Sequence, residues 1–178
     1  MSNSERLPVI ISGSGPCGSV LALYLAQHDI PVILLEKCPA LPRDLRASTF
    51  HPPTLEMLHE LGIAQDMIDQ GLIADRYQYR DRRSGEVAEF QMHLIADETD
   101  FPFRLQLEQY EMTHIASRHL AGFPHVQQLF AHTVTGARQD EHGVEVDVDT
   151  PDGPLTLRGR FLIGTDGAGS SVRKAAGI

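Results

Sequence analysis

The sequence predicts an α/β fold of Rossmann-like type, a parallel sheet with an antiparallel three-stranded meander attached. Three observations predict it. A β-branched run, Val9-Ile10-Ile11, leads into Gly13-Ser14-Gly15-Pro16-Cys17-Gly18 and then a helical apolar pattern. Val144, Val146 and Val148 alternate with Glu145, Asp147 and Asp149, the period of a half-buried strand. A last apolar run, Phe161-Leu-Ile163, enters Gly164-Thr-Asp166-Gly167, so the chain returns to the main sheet through a strand ending in glycines and an acid.

The first element reads as a strand buried on both faces of a parallel sheet. In the turn after it, Gly13 permits the tight bend, Gly15 lets a pyrophosphate approach the backbone, and Gly18 lets the helix pack closely on the strand. Pro16 suits a first helical turn, and Cys17 reads as a small residue inside the glycine turn. The helix N-terminus offers free N–H groups and its positive dipole end to phosphates. Val20, Leu21, Tyr24 and Leu25 recur at helical spacing and are expected to face the sheet. His28-Asp29 ends the helix, Pro31–Leu35 is the second strand, and Glu36-Lys37 follows it. Glu36 stands 18 positions after Gly18, where an acid accepts hydrogen bonds from a ribose. A lone Gly-x-Gly-x-x-Gly is often only a glycine turn, and Glu36 alone reads as a solvated strand-end acid. The two in register between strand-like runs favour a dinucleotide, and an acid there favours a free 2′-hydroxyl over a 2′-phosphate.

A plain nicotinamide-binding fold would continue with another parallel strand and helix. Residues 38–54 instead read as a loop, with Pro39, Pro42, Pro52, Pro53, Arg43 and Arg46. A helix is expected from about Thr54, which can cap it, with Leu55, Leu58 and Leu61 on one face and Gly62 as the stop. Tyr77–Tyr79 and Val87–Phe90 flank Ser84-Gly85 and read as a hairpin. Residues 93–103 read as a polar connection, and Leu107 to about Leu120 as a helix with Glu108 at its favourable start. Val126–Phe130 and Val134–Ala137 are short strand-like runs. The turns Glu141–Gly143 and Pro151–Gly153 then separate the strands of the meander.

Composition narrows the function. With 178 residues the chain can bury a sizeable core, and 42% hydrophobic with 22% charged residues is ordinary for a globular domain. A net charge of -9 disfavours nucleic acid or an anionic membrane as partner. No apolar stretch is long enough to span a bilayer, and Met-Ser-Asn-Ser-Glu-Arg reads as no secretion signal. Cys17 and Cys38 form neither a disulfide framework nor a Cys-x-x-Cys pair, in keeping with a reducing, cytoplasmic setting. The nine histidines include no pair three or four apart, so no metal site is expected. No Gly-x-Ser-x-Gly elbow occurs either.

Three patterns together give the chain a resemblance. They are Gly13–Gly18 with Glu36; Leu45-Arg46-Ala-Ser48-Thr-Phe-His-Pro-Pro-Thr-Leu-Glu-Met-Leu58 leading to Leu61-Gly62-Ile63; and Gly164-Thr-Asp166-Gly167-Ala-Gly-Ser170-Ser-Val-Arg173. The chain resembles, over nearly its whole length, the N-terminal part of the single-component FAD-dependent aromatic hydroxylases, the p-hydroxybenzoate and phenol hydroxylase type. The resemblance implies hydroxylation of a small phenolic or other aromatic substrate, with NAD(P)H reducing FAD and O2 supplying the oxygen atom. It implies that residues 1–178 are an incomplete FAD-binding domain in which 76–103 begins the substrate-binding layer. It implies that Arg46 contacts the flavin pyrophosphate, where a guanidinium can donate two parallel hydrogen bonds. Gln106 would contact the phosphate and ribityl region, the Val134 backbone the adenine, Asp166-Gly167 the sugar-phosphate region, and Arg173 the nicotinamide donor.

Ser48 departs from the pattern, since relatives often carry glycine there. The family's second Gly-Asp motif and most of its substrate sheet have no counterpart in this sequence, so the chain reads as part of a longer enzyme, inactive by itself. No residue is marked as catalytic acid or base. Other readings are an epoxidase, halogenase or reductase on the same FAD fold, a nicotinamide-only dehydrogenase, and a non-catalytic nucleotide-binding remnant.

Overall fold

A computed structural model describes residues 6–178; the leader reading of the first five residues lies outside them. The elements in chain order are β1 (Val9–Ser12), α1 (Pro16–Gln27), β2 (Val32–Glu36), β3 (Thr49–Phe50), α2 (Pro52–Glu60), α3 (Ala64–Ile68), β4 (Leu72–Ala74), β5 (Arg76–Arg80), β6 (Val87–Gln91), β7 (Arg104–Gln106), α4 (Gln109–Leu120), β8 (Val126–Phe130), β9 (Thr133–Asp140), β10 (Gly143–Thr150), β11 (Gly153–Gly159), β12 (Phe161–Gly164) and α5 (Ser171–Ala175). They fall into two units, one of residues 6–44 with 113–178 and one of residues 45–112.

The first unit holds a four-stranded sheet in the order β12-β1-β2-β8. All three pairings are parallel, so the return strand joins the main sheet as the sequence predicts, and its place there is beside β1. Val126–Phe130, a short strand-like run in the sequence, joins this sheet as its far edge. Every residue of β1 and β2 is buried, as continuous apolar runs in a parallel sheet require. Ile10, Ile33 and Leu35 share one face and pack with Val134, Val144, Val146 and Val148 of the antiparallel meander β11-β10-β9. By strand alternation Ile11 and Leu34 point the other way, the side on which a helix can cover a parallel sheet.

Helix α1 packs on β1 and β2, but not through the face its large residues predict. Its buried positions are Gly18, Ser19, Ala22, Leu23 and Ala26, whereas Tyr24 is 51% exposed. The period is helical and the phase is shifted. Small side chains bring the helix axis close to the strands, and close approach wins over burying the bulkier row. Cys17 is exposed on the first turn of this helix, not packed inside the glycine turn.

The second unit carries the short antiparallel sheet β3-β7-β4 and the hairpin β5-β6. Leu55, Leu58, Ile63, Met67 and Leu105 form its buried interior. The region expected to be loop thus includes β3, and the polar connection begins with a 3-10 turn at Met92–Ile95. Helix α2 starts at Pro52, with His51 and not Thr54 before it, because proline suits the first turn. Helix α4 starts at Gln109, two residues later than expected, since Arg104–Gln106 pairs as a strand. The hairpin forms as predicted, with the Tyr77 and Phe90 rings stacked 4.9 Å apart and the Arg104 guanidinium 5.1 Å from the Tyr77 ring centre. Among the described residues, no helix is long and apolar enough to cross a membrane.

Candidate cofactor site

The carboxyl ends of β1, β2 and β12 meet in the first unit, and the glycine turn crosses them. Parallel strands leave such a crevice at their carboxyl edge, where nucleotides bind in open α/β sheets. The three glycines of the turn have different causes. Gly13 has φ +102°, and a Cβ there would lie 2.5 Å from the Thr165 carbonyl oxygen. A Cβ on Gly18 would lie 1.9 Å from Gly13 O and 2.7 Å from Thr165 Oγ1. Both are fixed by the protein's own packing. A Cβ on Gly15 would meet nothing within 4 Å, so no protein atom explains the glycine. The open space lies before the first turn of α1, where N–H groups lack intrahelical partners.

Glu36 is 8% exposed and ends β2 beneath this turn. Its Oε2 accepts the Ser14 N–H at 3.0 Å and its Oε1 accepts the Cys38 N–H at 3.0 Å. A carboxylate has about four acceptor positions, so each oxygen keeps capacity for a ligand hydroxyl. The sequence points to Glu36 but not to this clamp on the turn. Burial pushes the Cys38 thiol pKa up, and the adjacent Glu36 carboxylate adds to the effect. Lys37 is exposed just beyond.

Asp166 follows β12. Its Oδ2 accepts the Ser171 N–H at 2.8 Å and the Val172 N–H at 3.3 Å, which anchors the start of α5. Burial opposes ionisation of this carboxyl, but hydrogen bonds from the Ser170 hydroxyl and from backbone N–H groups outweigh it and hold the pKa below the ordinary value. Its Oδ1 is buried with no hydrogen-bond partner, as is Ser14 Oγ. An orphaned carboxylate oxygen costs free energy unless a donor reaches it, and a sugar hydroxyl is such a donor. Gly167 continues the turn at φ +80°. The exposed Arg173 side chain donates to Ala168 O at 2.9 Å.

These features fit the adenosine-diphosphate half of a dinucleotide: an uncovered backbone for phosphates, a strand-end acid for a ribose, and an unpaired buried acceptor. The structure brings Gly13–Gly18, Glu36 and Asp166-Gly167 to the strand ends. Val134 lies in the same unit with its side chain in the core and its backbone paired with Val148. Ser48, Arg46 and Gln106 belong to the second unit. There Ser48 O accepts the Leu107 N–H at 2.9 Å, and Gln106 Oε1 accepts the Thr49 hydroxyl at 3.0 Å, so Ser48, just before β3, lies close to Gln106 of the paired strand β7. Arg46 is exposed in the segment before β3.

Comparison with known proteins agrees with this geometry. The chain is 31% identical over 170 residues to para-nitrophenol 4-monooxygenase of Pseudomonas sp. (strain WBC-3), a match covering 96% of this chain and 42% of that protein. Its fold superimposes on crystalline p-nitrophenol 4-monooxygenase PnpA from Pseudomonas putida DLL-E4 with a TM-score of 0.91 and 30% identity, covering 97% of this chain and 44% of that one. Aklavinone-11 hydroxylase, solved with FAD and aklavinone, gives a TM-score of 0.84 at 25% identity, covering 97% of this chain and 35% of that one. The chain therefore spans less than half the length of these relatives. Residues 6–178 match the family described as FAD binding domain, and the chain belongs to that family.

Proposed function

We infer that this chain is the FAD-binding portion of a flavoprotein monooxygenase that hydroxylates a small aromatic, phenolic substrate with NAD(P)H as electron donor. The observation that carries the reading is the cradle at the strand ends: a Cβ on Gly15 would touch nothing, and the Asp166 carboxylate, whose Oδ1 is buried without a partner, follows the adjoining strand β12. Relatives that are monooxygenases and hydroxylases by name supply the reaction class.

In this reading the N-terminal N–H groups of α1 and the Gly13–Gly18 backbone hold the pyrophosphate, with Pro16 setting the first helical turn. Glu36 accepts from the adenosine ribose while it keeps the Ser14 N–H, and Lys37 flanks it. Asp166 and Gly167 take the sugar-phosphate region, and the Val134 backbone the adenine. Arg46, Ser48 and Gln106 contact the flavin side, with Arg46 pairing to phosphate. Arg173 serves the nicotinamide donor. FAD supplies the electron transfer and oxygen activation; the residues of this chain bind it, orient it and fix its adenosine end. The segment 76–103, with its exposed Tyr79, Val87 and Phe90, begins the substrate layer.

Titration of the purified chain with FAD, read by flavin absorbance and fluorescence, tests the reading. Loose but saturable FAD binding without coupled hydroxylation of phenols is expected, since the relatives contribute more than half their length beyond this region. Saturable binding of NADH or NADPH with none of FAD would overturn it in favour of a nicotinamide-only dehydrogenase.

A further inference from the structure

The Gly13–Ser14 peptide is held at both ends. Its N–H, on Ser14, donates to Glu36 Oε2 at 3.0 Å. Its carbonyl, on Gly13, accepts from Thr165 Oγ1 at 2.8 Å. The same hydroxyl lies 2.9 Å from Ser12 O, and the Thr165 N–H donates to Ser12 O at 2.8 Å. The last backbone pair between β1 and β12 is Ser12 with Gly164. The Thr165 side chain thus carries the pairing one residue past the end of the ladder, into the glycine turn. Rotating the peptide plane would break a bond at each end, and the β-branched threonine side chain is stiff at χ1. The contact is also tight, since Thr165 occupies the space a Cβ would need at both Gly13 and Gly18.

We propose that Thr165 is a positioning residue for the dinucleotide site, its hydroxyl latching the glycine turn to the Asp166-Gly167 strand end so that the two ligand-facing segments keep one geometry. Thr165 acts through the Gly13 and Ser12 carbonyls. The consequence for ligand binding rests on the cofactor reading above; the consequence for the turn does not. Serine keeps the hydroxyl, and valine keeps the shape while leaving Gly13 O without this donor.

The test uses the full chain, with Thr165→Val and Thr165→Ser, and two readouts. Amide hydrogen exchange reads the turn without any ligand. In Thr165→Val the Ser14 amide should exchange at least about fivefold faster, the factor for one lost neutral hydrogen bond. Amides in the last turn of α1 should not change, and Thr165→Ser should match the wild type. ADP titration reads the site. Affinity should fall about fivefold in Thr165→Val and stay within about twofold in Thr165→Ser. Wild-type Ser14 exchange in Thr165→Val overturns the latch, and so does equal loss in the serine variant, which also decides the matter if the valine variant fails to fold. Unchanged ADP affinity in Thr165→Val overturns the positioning role. If Ser14 exchange responds but the wild type binds no ADP, the latch stands and the cofactor reading falls.

Discussion

Alanine in place of each turn glycine should separate folding from binding. At Gly18 the new Cβ would sit 1.9 Å from Gly13 O, so the turn must open by about 1.5 Å to reach ordinary contact at 3.4 Å. The obstacle is backbone, which yields less than a side chain. Overpacking of this kind costs about 1–3 kcal/mol, and the gain in helix propensity returns up to about 1 kcal/mol. A net loss of about 1–2 kcal/mol is expected. Gly13→Ala adds the strain of a positive φ, about 1–3 kcal/mol more, and should be the least stable of the three. Gly15 has φ −71° and ψ −174°, which alanine adopts without strain. There the reduced freedom of the unfolded chain gains about 0.4–1 kcal/mol, while a poorer N-cap loses a similar amount, leaving stability within about 1 kcal/mol of wild type. The Gly15 methyl would nevertheless stand where the pyrophosphate approaches, so ADP affinity should fall at least about tenfold. Urea melts and ADP titration of the three variants check this. A Gly15→Ala protein as unstable as Gly18→Ala, or one that binds ADP like the wild type, would refute the reasoning.

Glu36→Ala should have both effects. It leaves the Ser14 and Cys38 N–H groups without their carboxylate, which costs about 1–3 kcal/mol in a urea melt, and it weakens FAD binding by a comparable amount; unchanged stability with weaker FAD would show that the clamp on the turn counts for nothing. On the exposed face of the meander, Arg158 donates to both oxygens of Asp140 and, with the His142 N–H, holds the Asp140 pKa at about 2, below the ordinary 3.8. A depressed carboxyl pKa gives stability that is present above the unfolded value and lost as pH falls through the folded one. The Asp140 contribution should therefore persist at pH 5 and disappear as pH drops from about 4 to about 2. In Arg158→Met the carboxyl NMR titration of Asp140 should move up toward 3.8; an unmoved midpoint would contradict the assignment.

The elements with a strong period were legible in the sequence. The apolar runs of β1 and β2, buried throughout, and the alternation of β10 mark the parallel sheet and the meander, because burial on two faces or one leaves those patterns. The edge strand β12, with Phe161 exposed, is marked by its apolar run before the Gly164–Gly167 turn. Short pairings left no such mark. Strands β3 and β7 have two and three residues, too few to show a period, so β3 falls in a stretch that reads as loop and β7 leaves no sequence signal. The buried face of α1 departs from the expectation because hydrophobic size favours Tyr24 and Leu25, whereas close packing selects Ala22 and Ala26. In the site, the glycines, Glu36 and Asp166 were visible as motif positions. The Thr165 latch was not, since it joins residues 152 positions apart and a threonine before Asp-Gly does not reveal which carbonyl it meets.

The most direct test of the central claim is a two-dimensional amide NMR titration of the chain with ADP. Saturable shifts centred on Ser14, Gly15, Cys17, Gly18 and Gly167, weakened in Gly15→Ala, are expected. Absence of saturation, or shifts centred away from the glycine turn and the Asp166-Gly167 strand end, would contradict it.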